Sequence, residues 1–397
     1  PLSFFPAKDK EEVCLCGNSK TKHTDKAIKA GESTRETWNK EKHVCNAPTD
    51  AFGDINFRSF WQKESKYARV SVDTSPKLLY ELLTEQWKLD PPKLVISVTG
   101  GAKKFFLKSH LKKVFYRGII KIAQTTGAWI ITGGTNVGVM RHVGLAMSDC
   151  ALSNTTQQKI VAIGVAPWGV IHNRAALVHD KGCFPANYVI DTQGQRDLTY
   201  LDNNHTHFLL VDDGTNGHYG VEIPLRAKLE QYISDMEING IKIPVVCVVL
   251  DGGLGTLRVI CHAIRNNTPC VILEGSGRMA DVIAYVFEQR ESMTISNDLI
   301  QQQMEKFFNK DFKNFTRQDI EECEKMVSEV MMFQSMTSSD TLWSLSPDFA
   351  DAILLACCLQ VKFARVIKFA PPFVQKLGVQ LNACLKVVQT SLFKGGF

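Results

Sequence analysis

The feature that most narrows the possible folds is a repeated order of segments. A short apolar run, mostly β-branched, is followed by a turn holding glycine and then by an amphipathic stretch. The runs are Leu94-Val-Ile-Ser-Val, Trp129-Ile-Ile, Ile160-Val-Ala-Ile-Gly-Val, Phe208-Leu-Leu-Val, Val245-Val-Cys-Val-Val-Leu and Cys270-Val-Ile-Leu. Each is apolar throughout instead of alternating, as expected of parallel strands covered on both faces. The stretches between them suit crossover helices: after Pro224, well placed at a helix start, Leu225, Leu229 and Ile233 recur at four-residue spacing. Such a βαβ series predicts an α/β chain with a Rossmann-like, doubly wound, mostly parallel sheet over residues 61–295.

Around this centre, residues 1–60 are polar and Lys-rich and read as an irregular N-terminal arm. Residues 296–397 read as a helical extension, the start of a helical repeat segment. There Thr316 and Asp319 resemble a capping box ahead of Ile320, Cys323, Met326, Val327 and Val330 at helical spacing. Residues 350–361 read as another helix, and Pro371-Pro372 interrupt the apolar segment beyond it.

Composition excludes several classes. With 44% hydrophobic and 22% charged residues the chain is neither disordered, collagen-like nor a coiled-coil rod. Its net charge of +5, from 46 basic and 41 acidic residues, is too small and too dispersed to indicate nucleic acid. No apolar stretch reaches the roughly 18–20 residues that span a bilayer. Cys247, Cys261, Cys270, Cys357 and Cys358 sit in apolar runs, where a thiol acts as a small core hydrophobe. With no signal peptide in view, the twelve cysteines read as reduced thiols of a cytosolic protein. A chain beginning at Pro1 is expected to be part of a longer protein.

The chemistry is suggested by where the glycines fall. The predicted strands run into Thr99-Gly-Gly-Ala, Thr132-Gly-Gly-Thr-Asn-Val-Gly, Pro167-Trp-Gly, Asp212-Asp-Gly, Asp251-Gly-Gly-Leu-Gly-Thr and Glu274-Gly-Ser-Gly-Arg. In an open parallel sheet these turns share the carboxyl edge, where ligands bind. Glycine lets backbone N–H groups approach a phosphate, and the N-terminus of the next helix adds its dipole. Tight βα turns need glycine in any case, but that explains one or two turns and not the row, which points to a nucleotide or phosphosugar. Neither the P-loop Gly-Lys-Ser/Thr nor the G-x-G-x-x-G fingerprint is present, so ATP hydrolysis and hydride transfer lose support. The expected cradle comprises Thr99, Gly100, Gly101, Gly133, Gly134, Asn136, Gly255, Thr256 and Gly275.

Asp251-Gly-Gly-Leu-Gly-Thr resembles the Pro-Gly-Gly-x-Gly-Thr-x-x-Glu motif of the cytokinin-activating phosphoribohydrolases, LOG-like enzymes once described as lysine decarboxylases. Their glutamate, which takes part in cleaving an N-glycosidic bond, corresponds here to Val259, preceded by Arg258. Valine cannot serve as acid, base or oxocarbenium stabiliser. The resemblance therefore implies a nucleotide cradle without the hydrolase and no catalytic residue; a LOG-like phosphoribohydrolase or an ADP-ribose-processing enzyme is the alternative.

A second resemblance is closer. Pro48-Thr-Asp-Ala-Phe-Gly-Asp-Ile, Val95-Ile-Ser-Val-Thr-Gly-Gly-Ala-Lys, Thr126-Gly-Ala-Trp-Ile-Ile-Thr-Gly-Gly-Thr, Asp202-Asn-Asn-His-Thr-His-Phe, Val211-Asp-Asp-Gly and Glu274-Gly-Ser-Gly-Arg together resemble the N-terminal melastatin homology region of TRPM cation channels. The likeness runs in order over about residues 14–340. His218-Tyr-Gly-Val-Glu-Ile-Pro-Leu-Arg226 is most similar to the ADP-ribose-gated, calcium-permeable type. This implies a cytosolic ligand-sensing region on the cytoplasmic side of the plasma membrane. Its partners would be the remaining channel domains and sister subunits in a homotetramer, its ligand ADP-ribose or a related nucleotide, and calcium an ion handled elsewhere in the channel. The resemblance also implies ligand roles for Tyr219, Arg226 and Arg278. Their chemistry suits this, since Tyr219 can stack on adenine and Arg278, directly after Gly275-Ser-Gly, can fork onto a pyrophosphate.

Weaker signals complete the reading. Cys14-x-Cys16 with His23, then His43-x-Cys45, supply soft ligands at a spacing of no standard zinc finger. No metal is expected, and Cys14, Cys16, His23 and Cys45 are the candidates if one binds. His205 and His207 read as structural, Asp212 and Asp213 as capping or ribose-binding groups, and Lys103-Lys104 as a solvated pair.

Overall fold

The structure, a computed structural model, describes residues 2–7, 10–33, 37–45, 47–57, 64–153, 160–190, 198–238, 240–289, 295–335 and 364–367. In chain order its strands are β1 (Pro6–Ala7), β2 (Lys10–Cys14), β3 (Phe52–Asn56), β4 (Glu64–Ser71), β5 (Val95–Gly100), β6 (Trp129–Thr132), β7 (Val161–Pro167), β8 (Cys183–Asn187), β9 (His207–Asp212), β10 (Glu237–Ile238), β11 (Ile241–Lys242), β12 (Val245–Leu250), β13 (Cys270–Leu273) and β14 (Ala364–Ile367). The helices are α1 (Asp25–Ser33), α2 (Lys40–His43), α3 (Pro76–Glu81), α4 (Ser109–Thr126), α5 (Gly138–Ser153), α6 (Ile223–Asp235), α7 (Leu254–Arg265), α8 (Arg278–Gln289), α9 (Asn297–Phe308) and α10 (Arg317–Ser335). All six apolar runs are strands, and the α/β class with a mostly parallel sheet holds.

Two compact units divide the chain. The first takes Pro1–Lys88, Gly133–Asn136 and Ile163–Lys228, and the second Leu89–Thr132, Val137–Ala162 and Leu229–Phe397. In the second unit the strand order is β14-β13-β12-β5-β6, with every pairing parallel. Side chains leave a strand alternately to its two faces, so a strand apolar at every position needs a core on each. On β12, Val246, Val248 and Leu250 enter one core with α4 and α5 residues such as Phe115, Ile119 and Val143. Cys247 and Val249 enter another, with Leu257, Ile260, Ile283 and Val327 of α7, α8 and α10. β13 divides in the same way, Val271 and Leu273 against Cys270 and Ile272. Ser97, a buried polar residue inside β5, is satisfied by donating to Glu230 Oε1 of α6 at 2.6 Å.

The expected capping box opens α10: Thr316 N–H donates to Asp319 Oδ2 at 2.9 Å, and Asp319 N–H to Thr316 Oγ1 at 3.2 Å. α10 then lies along α7, joined by two carboxylate–guanidinium forks. Arg258 donates to Glu322 at 2.8 and 2.8 Å, and Arg265 to Glu329 at 2.6 and 2.7 Å. Within the expected helical extension the structure places β14, which pairs in parallel with β13 from Ala364 beside Cys270 to Ile367 beside Leu273. A short edge strand is held by the ladder it joins, and four residues carry too little periodicity to show it. The helix expected at 350–361 and the Pro371-Pro372 break lie outside the described residues.

In the first unit the order is β7-β9-β4-β3-β8, parallel except for the antiparallel β3–β4 pair. Its core gathers Ile55, Tyr67, Trp168, Tyr188, Phe208 and Leu210. The buried phenols are satisfied: Tyr67 donates to Leu177 O and Tyr188 to His172 O, both at 2.7 Å. The arm expected to be irregular holds the β1–β2 hairpin, α1 and β3. These elements are too short for hydrophobic periodicity to reveal, and β3 is fixed by its partners β4 and β8. Among the described residues no helix is long and apolar enough to cross a membrane.

Ile272 of β13, fully buried against the helical layer, provides a test of this packing. Ile272→Ala should lower unfolding free energy by about 2–5 kcal/mol. Leu78→Ala, at a 59% exposed position, should stay within about 0.5 kcal/mol. Urea titration followed by circular dichroism reads both.

Candidate functional site

Register brings three strand ends of the second unit level. Leu250 pairs with Gly100, and Val249 pairs with Thr99 on one side and Ile272 on the other. The turns at these strand ends, Gly100-Gly101, Asp251-Gly252-Gly253 and Gly275-Ser276-Gly277, therefore lie side by side. The last two lead straight into α7 and α8.

An ion pair sits at the middle of this edge. Asp251 is only 2% exposed. It accepts Arg278 Nε at 2.9 Å on Oδ1 and 3.0 Å on Oδ2, and Arg278 Nη2 also donates to Oδ2. The carboxylate raises the affinity of the guanidinium for its proton, so Arg278 stays charged. Asp251 N–H donates to Ser276 Oγ at 2.8 Å, and the Ser276 hydroxyl donates to Leu273 O at 2.6 Å. Thr256 Oγ1 ties the turn after β12 to Gly100 O at 3.0 Å. Gly101 leaves room for the pair: a Cβ there would stand 2.0 Å from Asp251 Oδ2 and 2.9 Å from Arg278 Nη2. The remaining arm of the guanidinium, Nη1, is 3.6 Å from Asp311 Oδ2, whose side chain is half exposed. The fork on Asp251 thus fixes the plane of Arg278 and directs Nη1 toward Asp311.

At two other positions neither steric space nor a positive φ requires glycine. Nothing lies within 4 Å of a Cβ built at Gly253 or Gly255, and neither has a positive φ. Gly253, which has no side chain to cap with, is the N-cap of α7, and among the described residues no side-chain cap hydrogen bond closes that end. Backbone donors at a helix N-terminus, without side-chain cover, form a surface onto which an anion can settle closely. Val259, at the position of the LOG-type glutamate, packs against the α7–α8–α10 core, and Arg258 is engaged by Glu322.

Of the residues singled out from sequence, the second unit brings together Thr99, Gly100, Gly101, Gly255, Thr256, Gly275 and Arg278. Gly133, Gly134, Asn136, Tyr219 and Arg226 belong to the first unit. There Gly134 has a packing role: a Cβ on it would stand 2.6 Å from Gly164 Cα, and its carbonyl accepts Asp202 N–H at 2.9 Å. Asn136 N–H donates to Tyr200 O at 2.8 Å. Tyr219 is 58% exposed, and Arg226 is buried in the first turn of α6. One turn before it, Glu222 has a buried Oε2 without a hydrogen-bond partner among the described residues. Burial pushes its carboxyl above the usual range, with Arg226 opposing that rise.

Sequence reasoning missed Asp251, Ser276 and Glu222 as working parts. The acid ahead of Gly252-Gly253 and the serine inside Gly275-Ser-Gly were visible, but only the fold shows that they serve Arg278. His205 is structural, paired with Asp202 at 3.0 Å in a fully buried position, and His207 bonds Thr206 at 2.8 Å. Asp212 receives Arg69 at 2.9 and 2.5 Å, and Asp213 accepts the N–H and hydroxyl of Thr215 at 3.0 and 2.6 Å.

The family described as SLOG in TRPM matches residues 65–332. The chain is 54% identical over 325 residues to the mouse transient receptor potential cation channel subfamily M member 2, covering 80% of this chain and 21% of that protein. It is 40% identical over 307 residues to the subfamily M member-like 2 protein of Nematostella vectensis, covering 75% of this chain and 20% of that one. With the human subfamily M member 7 it shares 40% identity over 291 residues, covering 71% and 15% respectively. The chain thus spans about a fifth or less of the length of these curated relatives.

Two outcomes test the site's energetics. Arg278→Ala and Asp251→Ala should each destabilise the second unit, and the double variant should fall short of their sum. A coupling of about 0.5–3 kcal/mol in a denaturation cycle would mark the pair as a working contact. For Glu222, the raised folded-state pKa means that its contribution is present in acid and is lost as pH rises through the folded value. Glu222→Gln should therefore raise the melting temperature on the alkaline side of that folded value and leave it unchanged in acid.

Proposed function

The chain belongs to the SLOG family in TRPM, and we propose that it is a cytosolic ligand-sensing region of a calcium-permeable cation channel, binding ADP-ribose or a related nucleotide to regulate gating. The observation that carries this reading is the uncapped N-terminus of α7. It is bordered by Gly253 and Gly255, which neither space nor backbone requires to be glycine, and lies beside an arginine held in orientation. A pyrophosphate is the chemistry that uses both features. Amides of the helix start take one set of oxygens, and Arg278 Nη1 takes another while Nε and Nη2 stay on Asp251. Asp251 acts here as a positioning residue. For Tyr219 and Arg226 the support is the likeness to the ADP-ribose-gated type, together with side chains suited to adenine and phosphate.

In this reading the chain is not an enzyme: the ligand is held and released unchanged. Binding alters gating only by the difference in affinity between two channel states. The remaining channel domains and sister subunits, arranged as a homotetramer at the cytoplasmic side of the plasma membrane, receive that difference, and calcium is handled elsewhere in the channel.

Titration calorimetry of the purified chain with ADP-ribose should show saturable binding. Arg278→Ala and Arg226→Ala should each weaken it by about 1.5–3 kcal/mol, the range for hydrogen bonds to charged groups. Arg278→Lys should recover little, since an ammonium cannot hold Asp251 in a fork and reach a phosphate at once. Absence of binding would overturn the sensor reading. Steady release of base or ribose phosphate from AMP or ADP-ribose would replace it with an enzyme.

A further inference from the structure

We propose that Cys14, Cys16 and His23 form a zinc site in the first unit. The side-chain atoms Cys14 Sγ, Cys16 Sγ and a His23 ring nitrogen all lie within 4.8 Å of one another, and the Cys16 Sγ to His23 Nε2 distance is 3.4 Å. Zinc bonds of about 2.3 Å to sulfur and 2.0–2.1 Å to nitrogen put tetrahedral ligand atoms roughly 3.5–3.8 Å apart. The three atoms therefore need only small shifts to enclose an ion.

The backbone builds this arrangement locally. β2 ends at Cys14 and turns back through Leu15-Cys16-Gly17, with Gly17 N–H donating to Cys14 O at 2.7 Å and Cys14 N–H to Asn18 O at 2.8 Å. Gly17 has φ +82 and packs so closely that a Cβ would stand 2.6 Å from Arg174 Nη2. The chain then makes a short 3-10 turn, Lys20–Lys22, that delivers His23 back to the two sulfurs.

The surroundings are those of metal ligands. His23 Nδ1 lies 2.9 Å from Ser19 O, so it carries the proton and donates. Nε2 is thereby left with its lone pair facing the cysteines, the usual outer-shell arrangement for a ligating histidine. Phe5 N–H donates to Cys14 Sγ at 3.4 Å, and Asn18 Nδ2 donates to Cys16 Sγ at 3.5 Å, contacts that suit thiolates. Cys14 and His23 are 1% and 8% exposed, while Cys16 is half-buried on the open side. Among the described residues no fourth His, Cys, Asp or Glu joins the cluster, so water completes the tetrahedron. Two thiolates and an imidazole select zinc over calcium or magnesium. Binding exchanges two thiol protons for one Zn²⁺, and both protons leave to solvent, giving a neutral centre. The ion would close the β1–β2 hairpin onto the start of α1, within the arm read from sequence as irregular and metal-free.

The test uses the whole chain, purified without chelator and reconstituted with zinc. Elemental analysis should find one zinc per chain, lost in Cys14→Ser and His23→Ala and kept in Cys45→Ser, whose exposed thiol lies outside the cluster. In case those variants fail to fold, the native chain is loaded with cobalt. A thiolate-to-cobalt charge-transfer band, with protection of Cys14 and Cys16 from alkylation that EDTA removes, supports the site. No bound metal, metal retained equally in all three variants, or a Cys14–Cys16 disulfide found under thiol-blocking conditions would overturn it.

Discussion

A parallel strand that is apolar on every residue must be buried on both faces, and β12 shows what this requires. Val246, Val248 and Leu250 need one layer of helices, and Cys247 and Val249 need another. Once both layers are present, each strand can only leave the sheet by a turn that rises into the next helix. The helix N-termini and the strand ends therefore gather at one edge of the unit, and the candidate site is a by-product of covering the sheet.

That edge carries a burden as well as an opportunity. Asp251 sits almost without solvent, and an isolated carboxylate there would be costly. Arg278 neutralises it and Ser276 ties the backbone beneath it, so the same contacts that make the turn stable also hold the guanidinium in one orientation. The turns around Gly134 in the first unit show the contrasting case, in which glycine serves close backbone packing against Gly164.

The two arginine–glutamate forks between α7 and α10 lie on exposed faces, where ion pairs contribute little individually. Their repetition one heptad apart on both helices fixes register and not depth; the depth comes from Leu257, Ile260, Val327 and Val330 between them. Val259 belongs to that packing. The position at which a LOG-type enzyme carries its glutamate has here become part of what holds the helical layer to the sheet.

Much of this was legible in the order of residues. Six predominantly apolar runs determined the strands and the parallel sheet, because burial on both faces leaves no polar alternation. The Thr316/Asp319 pair marked the start of α10 through purely local hydrogen bonds. The glycine-rich turns marked the strand-end edge proposed as the site, because a missing side chain is itself a sequence fact. Only the tertiary structure decided which glycines are demanded by packing and which, like Gly253 and Gly255, are left facing open space. It also decided that Asp251 orients Arg278, that Cys14 and Cys16 meet His23, and that the predicted cradle divides between two units. Each of these depends on contacts between segments far apart in the chain, or on turns too short to repeat, and no local periodicity records them.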